Sequence, residues 1–235
     1  MEADEGTVAA VSCNDTYAFT KPVRDEIVLI AGVGVKGDVH AGVHVKHRGR
    51  VRNDPTQPNF RQVHLIQQEL FAEVGAKGFA VAAGNLGENV TTSGIDLLAL
   101  PVGTILRFGP SVAVGVRADG PGATQAVKAV LEVAAAAELD AATAASAVAV
   151  AAAAARDRGD DPRPAVVVAG LRNPCAQINV FRQGLLKEVV GRGAEGDVVY
   201  KAGVMAVVLR SGAIRPGDAV TAELPPLPHA PLERI

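Results

Sequence analysis

The side chains able to do chemistry fall in four short segments. The first, 34–48, sets Lys36, Asp38, His40, His44, Lys46, His47 and Arg48 among Gly34, Gly37 and Gly42. In a strand Asp38, His40, Gly42, His44 and Lys46 would share one face; in a helix His40 and His44 would do so. Either arrangement makes a cationic, proton-active patch, and the glycines let backbone N–H groups approach a bound anion. The same composition also fits a solvated hairpin with surface histidines. The second segment, 84–92, carries Gly84, Asn85, Gly87, Glu88, Asn89, Thr91 and Thr92. Asparagine offers donor and acceptor together, which suits the edge of a heterocycle, and threonine hydroxyls suit an anion. A plain Asx-rich turn is the alternative.

The third segment, 170–175, reads Gly170-Leu171-Arg172-Asn173-Pro174-Cys175. It leaves an apolar run at 165–169, and loops at strand ends are where functional groups usually sit. Arg172 has the fork geometry for phosphate or carboxylate. A nearby cation favours the thiolate of Cys175, the form that ligates metal. A buried, inert cysteine is the competing reading. The fourth segment joins 179–187, with Arg182 and Gln183 as side chains able to close a pocket, to Gly203-Val204-Met205.

The elements that must position these residues are mostly short strands. Apolar or β-branched runs at 8–11, 27–30, 61–66, 95–100, 102–108, 112–116, 165–169, 204–209 and 219–224 alternate with Gly/Pro turns. The turn Ile214-Arg215-Pro216-Gly217-Asp218 precedes the last run, and a hairpin is expected around Gly109-Pro110. A helix is expected at 67–74, where Leu70, Phe71 and Val74 fall at helical spacing before Gly75. Many short strands with this punctuation predict an antiparallel barrel or sandwich.

The stretch 118–164 differs. It holds Ala134–Ala137 and a nearly unbroken small-residue tract at 141–155. Alanine favours helix, but with few large apolar anchors the segment should dock weakly. It reads as a low-complexity insertion, helical or disordered, that contributes little to the core. Its deletion is expected to be tolerated.

The 235 residues suit one domain, 1–235, carrying this insertion. The formal charge of −2 and the 3% aromatic content, without tryptophan, argue against nucleic acid as a partner. Two cysteines, Cys13 and Cys175, are too few for a disulfide framework. The acidic N-terminus lacks the features of a secretory signal, and the alanine tract is too short and too weakly apolar to cross a membrane. A cytoplasmic protein without a membrane partner is expected.

Taken in order, the four segments resemble the molybdenum-cofactor sulfurase C-terminal (MOSC) family. "GVKGDVHAG", "GNLGENVTT" with "GIDLLALPVG", "LRNPC" and "GVMAVVLRSGAIRPGDAV" carry the likeness, extended by "KHRGRVRNDPTQPNFRQVHLI" and "NPCAQINVFRQGLLKEVV". It spans about 6–117 and 165–229. One departure is Val168-Ala169-Gly170, where family members usually carry a threonine ahead of the arginine.

The resemblance implies a mainly β (α+β) fold, a MOSC-type β-barrel flanked by short helices. It implies a pterin-bound molybdenum cofactor with Cys175 as its thiolate ligand, a soft donor suited to a polarisable metal. Lys36, Asp38, Asn85, Glu88, Asn89, Thr91, Arg172 and Asn173 fall at cofactor-pocket positions, with His40 or His44 as proton relays. The activity implied is a molybdenum-dependent oxidoreductase that reduces small N-hydroxylated compounds: hydroxylamines, amidoximes and hydroxylamino bases. Electrons come from a separate redox protein. Pyridoxal phosphate has no residue support. A non-catalytic carrier of the cofactor, or of a persulfide on Cys175, would need the same pocket. A zinc hydrolase using Asp38, His40, His44 and His47 is a third reading, which leaves Cys175 without a role.

Overall fold

The computed structural model describes residues 5–110, 122–157, 159–193 and 196–235. In chain order the elements are β1 (Glu5–Ser12), β2 (Val23–Arg24), β3 (Ile27–Ile30), β4 (Gly34–Val35), α1 (Arg48–Asn53), β5 (Val63–Gln67), α2 (Glu69–Gly75), β6 (Val90–Ser93), β7 (Ile105–Phe108), α3 (Ala123–Ala136), α4 (Ala141–Arg156), β8 (Ala165–Leu171), α5 (Gln177–Phe181), α6 (Leu185–Val189), β9 (Val190–Arg192), β10 (Val198–Tyr200), β11 (Val204–Arg210), β12 (Gly212–Ile214) and β13 (Ala219–Glu223).

Seven strands close a barrel in the order β13-β7-β8-β11-β5-β6-β1, with β1 returning to β13. Every pair in the ring is antiparallel except β5–β6, which is parallel. The expected mainly β architecture with a barrel and short helices is what the chain adopts. A three-stranded sheet, β12-β3-β4, and the small β9–β10 hairpin sit outside the ring.

The apolar runs on β8 and β11 are continuous because both faces of these strands are buried, a pattern usual where helices cover a sheet. Val166, Val168, Val204, Ala206 and Val208 belong to one core cluster with Val8, Leu65, Val90 and Phe108. Their alternating neighbours Ala165, Val167, Ala169, Met205, Val207 and Leu209 form a second cluster with the helices α3 and α4. A third cluster joins Ile66 and Leu86 to α2, α5 and α6.

The expectation that 118–164 contributes little to the core is wrong for the helices. Val127, Val130, Val150, Ala153 and Ala154 are 0–1% exposed against the outer barrel face. Alanine has no bulk to anchor a helix, but its smallness lets the helix backbone approach the strands closely. Ser146 Oγ donates to the Ala169 carbonyl of β8 at 2.6 Å, and Arg156 donates to the Gly103 carbonyl at 2.9 Å. Asp140 caps α4 by accepting from Thr143 N at 2.7 Å. The expected strand at 112–116 lies outside the described residues. The run 95–100 is a turn segment rather than a strand. No described helix is long and apolar enough to cross a membrane.

Candidate functional site

A cavity of about 620 Å³ opens beside the barrel, walled by the 18–21 segment, the 40–61 segment, β5, the 86–89 turn, the 172–177 loop and the α3–α4 connection. Cys175 and Arg172 face it from the loop that leaves β8, Arg61 and His64 from the start of β5, and His40 and His47 from the 40–47 loop.

Asp38 organises one side. Its carboxylate accepts from Lys21 Nζ at 2.6 Å, Asn89 Nδ2 at 2.9 Å, His40 N at 2.9 Å and His40 Nδ1 at 3.2 Å. Burial opposes its ionisation, but the hydrogen bonds from His40 and the charge of Lys21 outweigh that and hold the carboxyl well below the usual range. The bond to the carboxylate makes Nδ1 the protonated nitrogen of His40 and leaves Nε2 for a ligand. Asn59 ties down the same loop by donating to the His40 and Gly42 carbonyls, both at 2.9 Å.

The opposite side is cationic. Arg172 is buried and Arg61 half-buried, and among the described residues neither has a carboxylate within ion-pair distance. Arg172 Nη1 is buried with no hydrogen-bond partner. Burial pulls the Arg61 guanidinium down to about 9, helped by Arg50 and Arg172 and opposed by Cys175. His64, fully buried, donates from Nε2 to the Ala202 carbonyl at 2.7 Å, and desolvation holds its ring neutral. Arg172 is buried and Arg61 half-buried, and cations so placed without carboxylate partners suit an anion in the cavity.

The glycines of the two motif loops serve close approaches. Gly203 has φ +88°, and a Cβ there would collide with the Leu65 carbonyl oxygen. Gly84 has φ +80°, and its Cβ would strike the Lys21 carbonyl, so the 84–88 turn presses directly on the segment carrying Lys21 and Phe19. Glu88 stays inside that turn, accepting from Gly84 N at 2.5 Å and Leu86 N at 3.1 Å.

Of the residues singled out in the sequence, the cavity gathers Cys175, His40, Asn89, Arg172 and Asn173, with Asp38 directly behind His40. Lys36 and His44 are exposed and do not line it. The segment 38–43 is a series of turns, so the shared strand face expected for Asp38, His40, His44 and Lys46 does not form. Asn85, Glu88 and Thr91 also lie off the cavity wall: Asn85 Oδ1 accepts from Ala82 N, and Thr91 Oγ1 donates to Glu88. Arg182 and Gln183 are exposed and do not close the pocket. Among the described residues no group of three or more His, Cys, Asp or Glu could hold a metal ion, so the zinc-type cluster is not assembled.

Lys21, Arg50, Arg61, His64 and Asn59 were missed. An arginine just ahead of a mostly apolar strand and a histidine within it, as in Arg61-Gln62-Val63-His64-Leu65, were the available signal. Nothing local marks Lys21, whose partner lies seventeen positions away.

His47 carries a pH prediction. Burial, Arg61, His40, Arg172 and Arg50 lower its pKa from 6.5 to about 4. The unfolded chain therefore binds the extra proton first as pH falls. This stabilisation is fully present above about pH 6.5 and is lost between about pH 6.5 and about 4. In the cofactor-free protein, urea midpoints measured across that interval should fall less for His47→Phe than for the parent chain.

No protein-family model and no curated protein matches the sequence. Solved structures do share the fold. A YuaD protein from Bacillus subtilis aligns with a TM-score of 0.51 at 19% identity, over 96% of this chain and 99% of that one. YiiM from Geobacillus stearothermophilus aligns with a TM-score of 0.53 at 13% identity, over 96% of this chain and 79% of its own. At these identities the likeness is one of fold.

Proposed function

We propose that the cavity holds a phosphate-bearing pterin–molybdenum cofactor, with Cys175 as the protein thiolate, and that the protein reduces small N-hydroxylated compounds. The observation that carries this is the pair of carboxylate-free guanidinium groups, the buried Arg172 and the half-buried Arg61, converging with Cys175 on one cavity. A buried polar atom without a partner calls for an explanation; Arg172 Nη1 is one, its residue lines the cavity, and a bound anion would account for it. The ordered motifs that resemble the MOSC family support the same reading.

The residues present suit the group. Arg172 and Arg61 would take its phosphate, a dianion matched by two planar donor forks. Asn173 and Asn89 offer neutral donors and acceptors for a heterocycle edge. The metal would supply two-electron chemistry, with electrons delivered by a separate redox protein, as for the family's characterised members. The reaction R–NHOH + 2e⁻ + 2H⁺ → R–NH₂ + H₂O consumes two protons at one nitrogen–oxygen bond. His40, oriented by Asp38, presents Nε2 to the cavity and passes protons to the leaving oxygen. Lys21 and Asn89 keep Asp38 in the ionised form that fixes this ring. Removing Asp38 would free the ring to turn rather than remove the proton source.

Metal and pterin analysis of protein made in a molybdenum-replete host tests the reading. Molybdenum and a pterin phosphate near one per chain are expected, with turnover of a hydroxylamine using an artificial electron donor. Arg172→Ala should weaken cofactor retention by about 10- to 100-fold, the worth of a charge-assisted hydrogen bond. Arg172→Lys should restore it in part, because an ammonium lacks the fork. Arg182→Ala, at an exposed position, should not change it. Equal molybdenum occupancy in all of them would remove the phosphate assignment. Bound molybdenum without turnover would favour the carrier.

A further inference from the structure

The strand that launches the Arg172–Cys175 loop outruns its neighbour. β7 accompanies β8 only as far as Val168, whose N–H donates to the Thr104 carbonyl at 2.9 Å and whose carbonyl accepts from Gly103 N at 2.9 Å. Beyond that point the Ala169 carbonyl is taken by Ser146 Oγ of α4, and both backbone polar groups of Leu171 are taken by the C-terminal segment. Leu171 N donates to the Glu233 carbonyl at 2.7 Å and Ile235 N donates to the Leu171 carbonyl at 3.3 Å, so Leu171 and Arg234 form one rung of a parallel ladder. The next residue, Arg172, is held from the β11 side, its N–H donating to the Gly203 carbonyl at 2.9 Å.

One side chain anchors the segment. Residues 226–231 are exposed, whereas Ile235 is 3% exposed and joins Phe60, Ala169 and Met205 in one apolar cluster. Met205 is itself part of the cavity wall. The Arg234 guanidinium lies 4.5 Å from the centroid of the Tyr200 ring, at the end of the strand that leads to Gly203. Gly170 makes the approach possible. No left-handed backbone requires a glycine there, but a Cβ would stand 2.7 Å from the Glu233 carbonyl oxygen and 2.9 Å from Ile235 Cγ2. A glycine inside a strand marks a close approach by another backbone, and here that backbone is residues 233–235.

We infer that residues 233–235, acting through Leu171, set the position of Arg172 and Cys175 at the cavity wall, with Ile235 as the anchor. None of the three lines the cavity, so the segment is a positioning element. Without it the Leu171 N–H and carbonyl turn to water, and the stretch carrying Arg172 is held on one side only. What the loop binds rests on the proposed cofactor; its dependence on the segment does not.

The test uses the full chain with Ile235→Ser, which removes the anchor, Ile235→Val, which keeps it, and Gly170→Ala, whose methyl pushes the segment off β8. In molybdenum-loaded protein Ile235→Ser and Gly170→Ala should each weaken cofactor retention by about 10- to 100-fold, the cost of losing an outer-sphere support. Ile235→Val should recover most of it. The double variant Gly170→Ala/Ile235→Ser should be no worse than the poorer single one, because both displace the same segment. In metal-free protein, the ratio of alkylation rates of Cys175 by iodoacetate and by iodoacetamide reads the positive charge beside the sulfur. That ratio should fall by about fivefold in the two displaced variants, the scale of one elementary charge at about 4 Å in water, and stay put at Cys13. A merely structural role would lower the urea midpoint while leaving cofactor per folded molecule and the alkylation ratio at parental values, and that result overturns the inference. Additive losses in the double variant overturn it as well. A parent chain that retains no molybdenum removes the cofactor reading, and the alkylation ratio then decides the positioning on its own.

Discussion

Cys175→Ser should leave the fold and the retention of pterin intact and abolish reduction of N-hydroxylated substrates. The thiol sits on the loop leaving β8, part-exposed at the cavity wall, with Gln177 Oε1 3.6 Å from its sulfur and the charges of Arg61 and Arg172 around it. Cations stabilise a thiolate, and a thiolate is the soft donor that a polarisable metal takes from the protein. Serine is isosteric but hard and essentially un-ionised at neutral pH. Losing an outer-sphere partner of a metal ligand commonly costs 10- to 100-fold, and losing the ligand itself should exceed that. The phosphate contacts of Arg172 and Arg61 do not pass through sulfur, so pterin should remain. Cys13→Ser is the control. Its sulfur packs against the barrel core and faces the Lys36 carbonyl at 3.7 Å, away from the cavity, and burial raises its pKa. Near-normal turnover by Cys175→Ser, with molybdenum retained, would refute the ligand role.

The sequence shows the barrel because β-strand signals are local. Runs such as 204–209 are apolar on every residue when both faces are covered, and Gly/Pro turns separate them. The closure of the ring and the parallel β5–β6 pair are not local, and no run announces them. The site divides the same way. Cys175 and Arg172 are legible because they follow a strong strand in a short loop. His40 is legible because it sits in a glycine-rich cluster. Lys36 and His44 share that cluster, yet the turns at 38–43 send them to solvent, since a turn series erases the two-residue period that a strand face would need. Glu88, Asn85 and Thr91 resemble ligand groups in composition. Their hydrogen bonds are spent within the segment 82–91, which shapes the wall from behind. Lys21 is invisible from its neighbours because its role is defined by a carboxylate on another loop.

The alanine tract shows how composition misleads about energy. Deleting residues 119–162 and rejoining the ends should unfold the protein or leave it insoluble, the opposite of what a low-complexity insertion suggests. The outer faces of β8 and β11, with Val167, Val207, Leu209 and Met205, would lose α3 and α4. Each fully buried valine among Val127, Val130 and Val150 contributes about 1.5–3 kcal/mol as an upper estimate. That is large beside the 5–15 kcal/mol that holds a typical domain folded. A point substitution tests the same idea without disturbing the chain length. Asp157, just past the end of α4, has a wholly buried carboxylate that bonds Arg210 Nε at 2.8 Å and Nη2 at 2.5 Å, with Arg107 Nη2 at 3.7 Å. This cluster clamps the helix end to β7 and β11. Asp157→Ala removes the anion and leaves Arg210 buried without its partner, a change that typically costs about 3–5 kcal/mol. A decrease of that size in the free energy of urea unfolding is expected, together with faster amide exchange across 141–156. The cavity lies on the other side of the strand ends, and cofactor content per folded molecule should hold. A loss below about 1 kcal/mol, the worth of an exposed ion pair, would show that the helices ride on the barrel without supporting it.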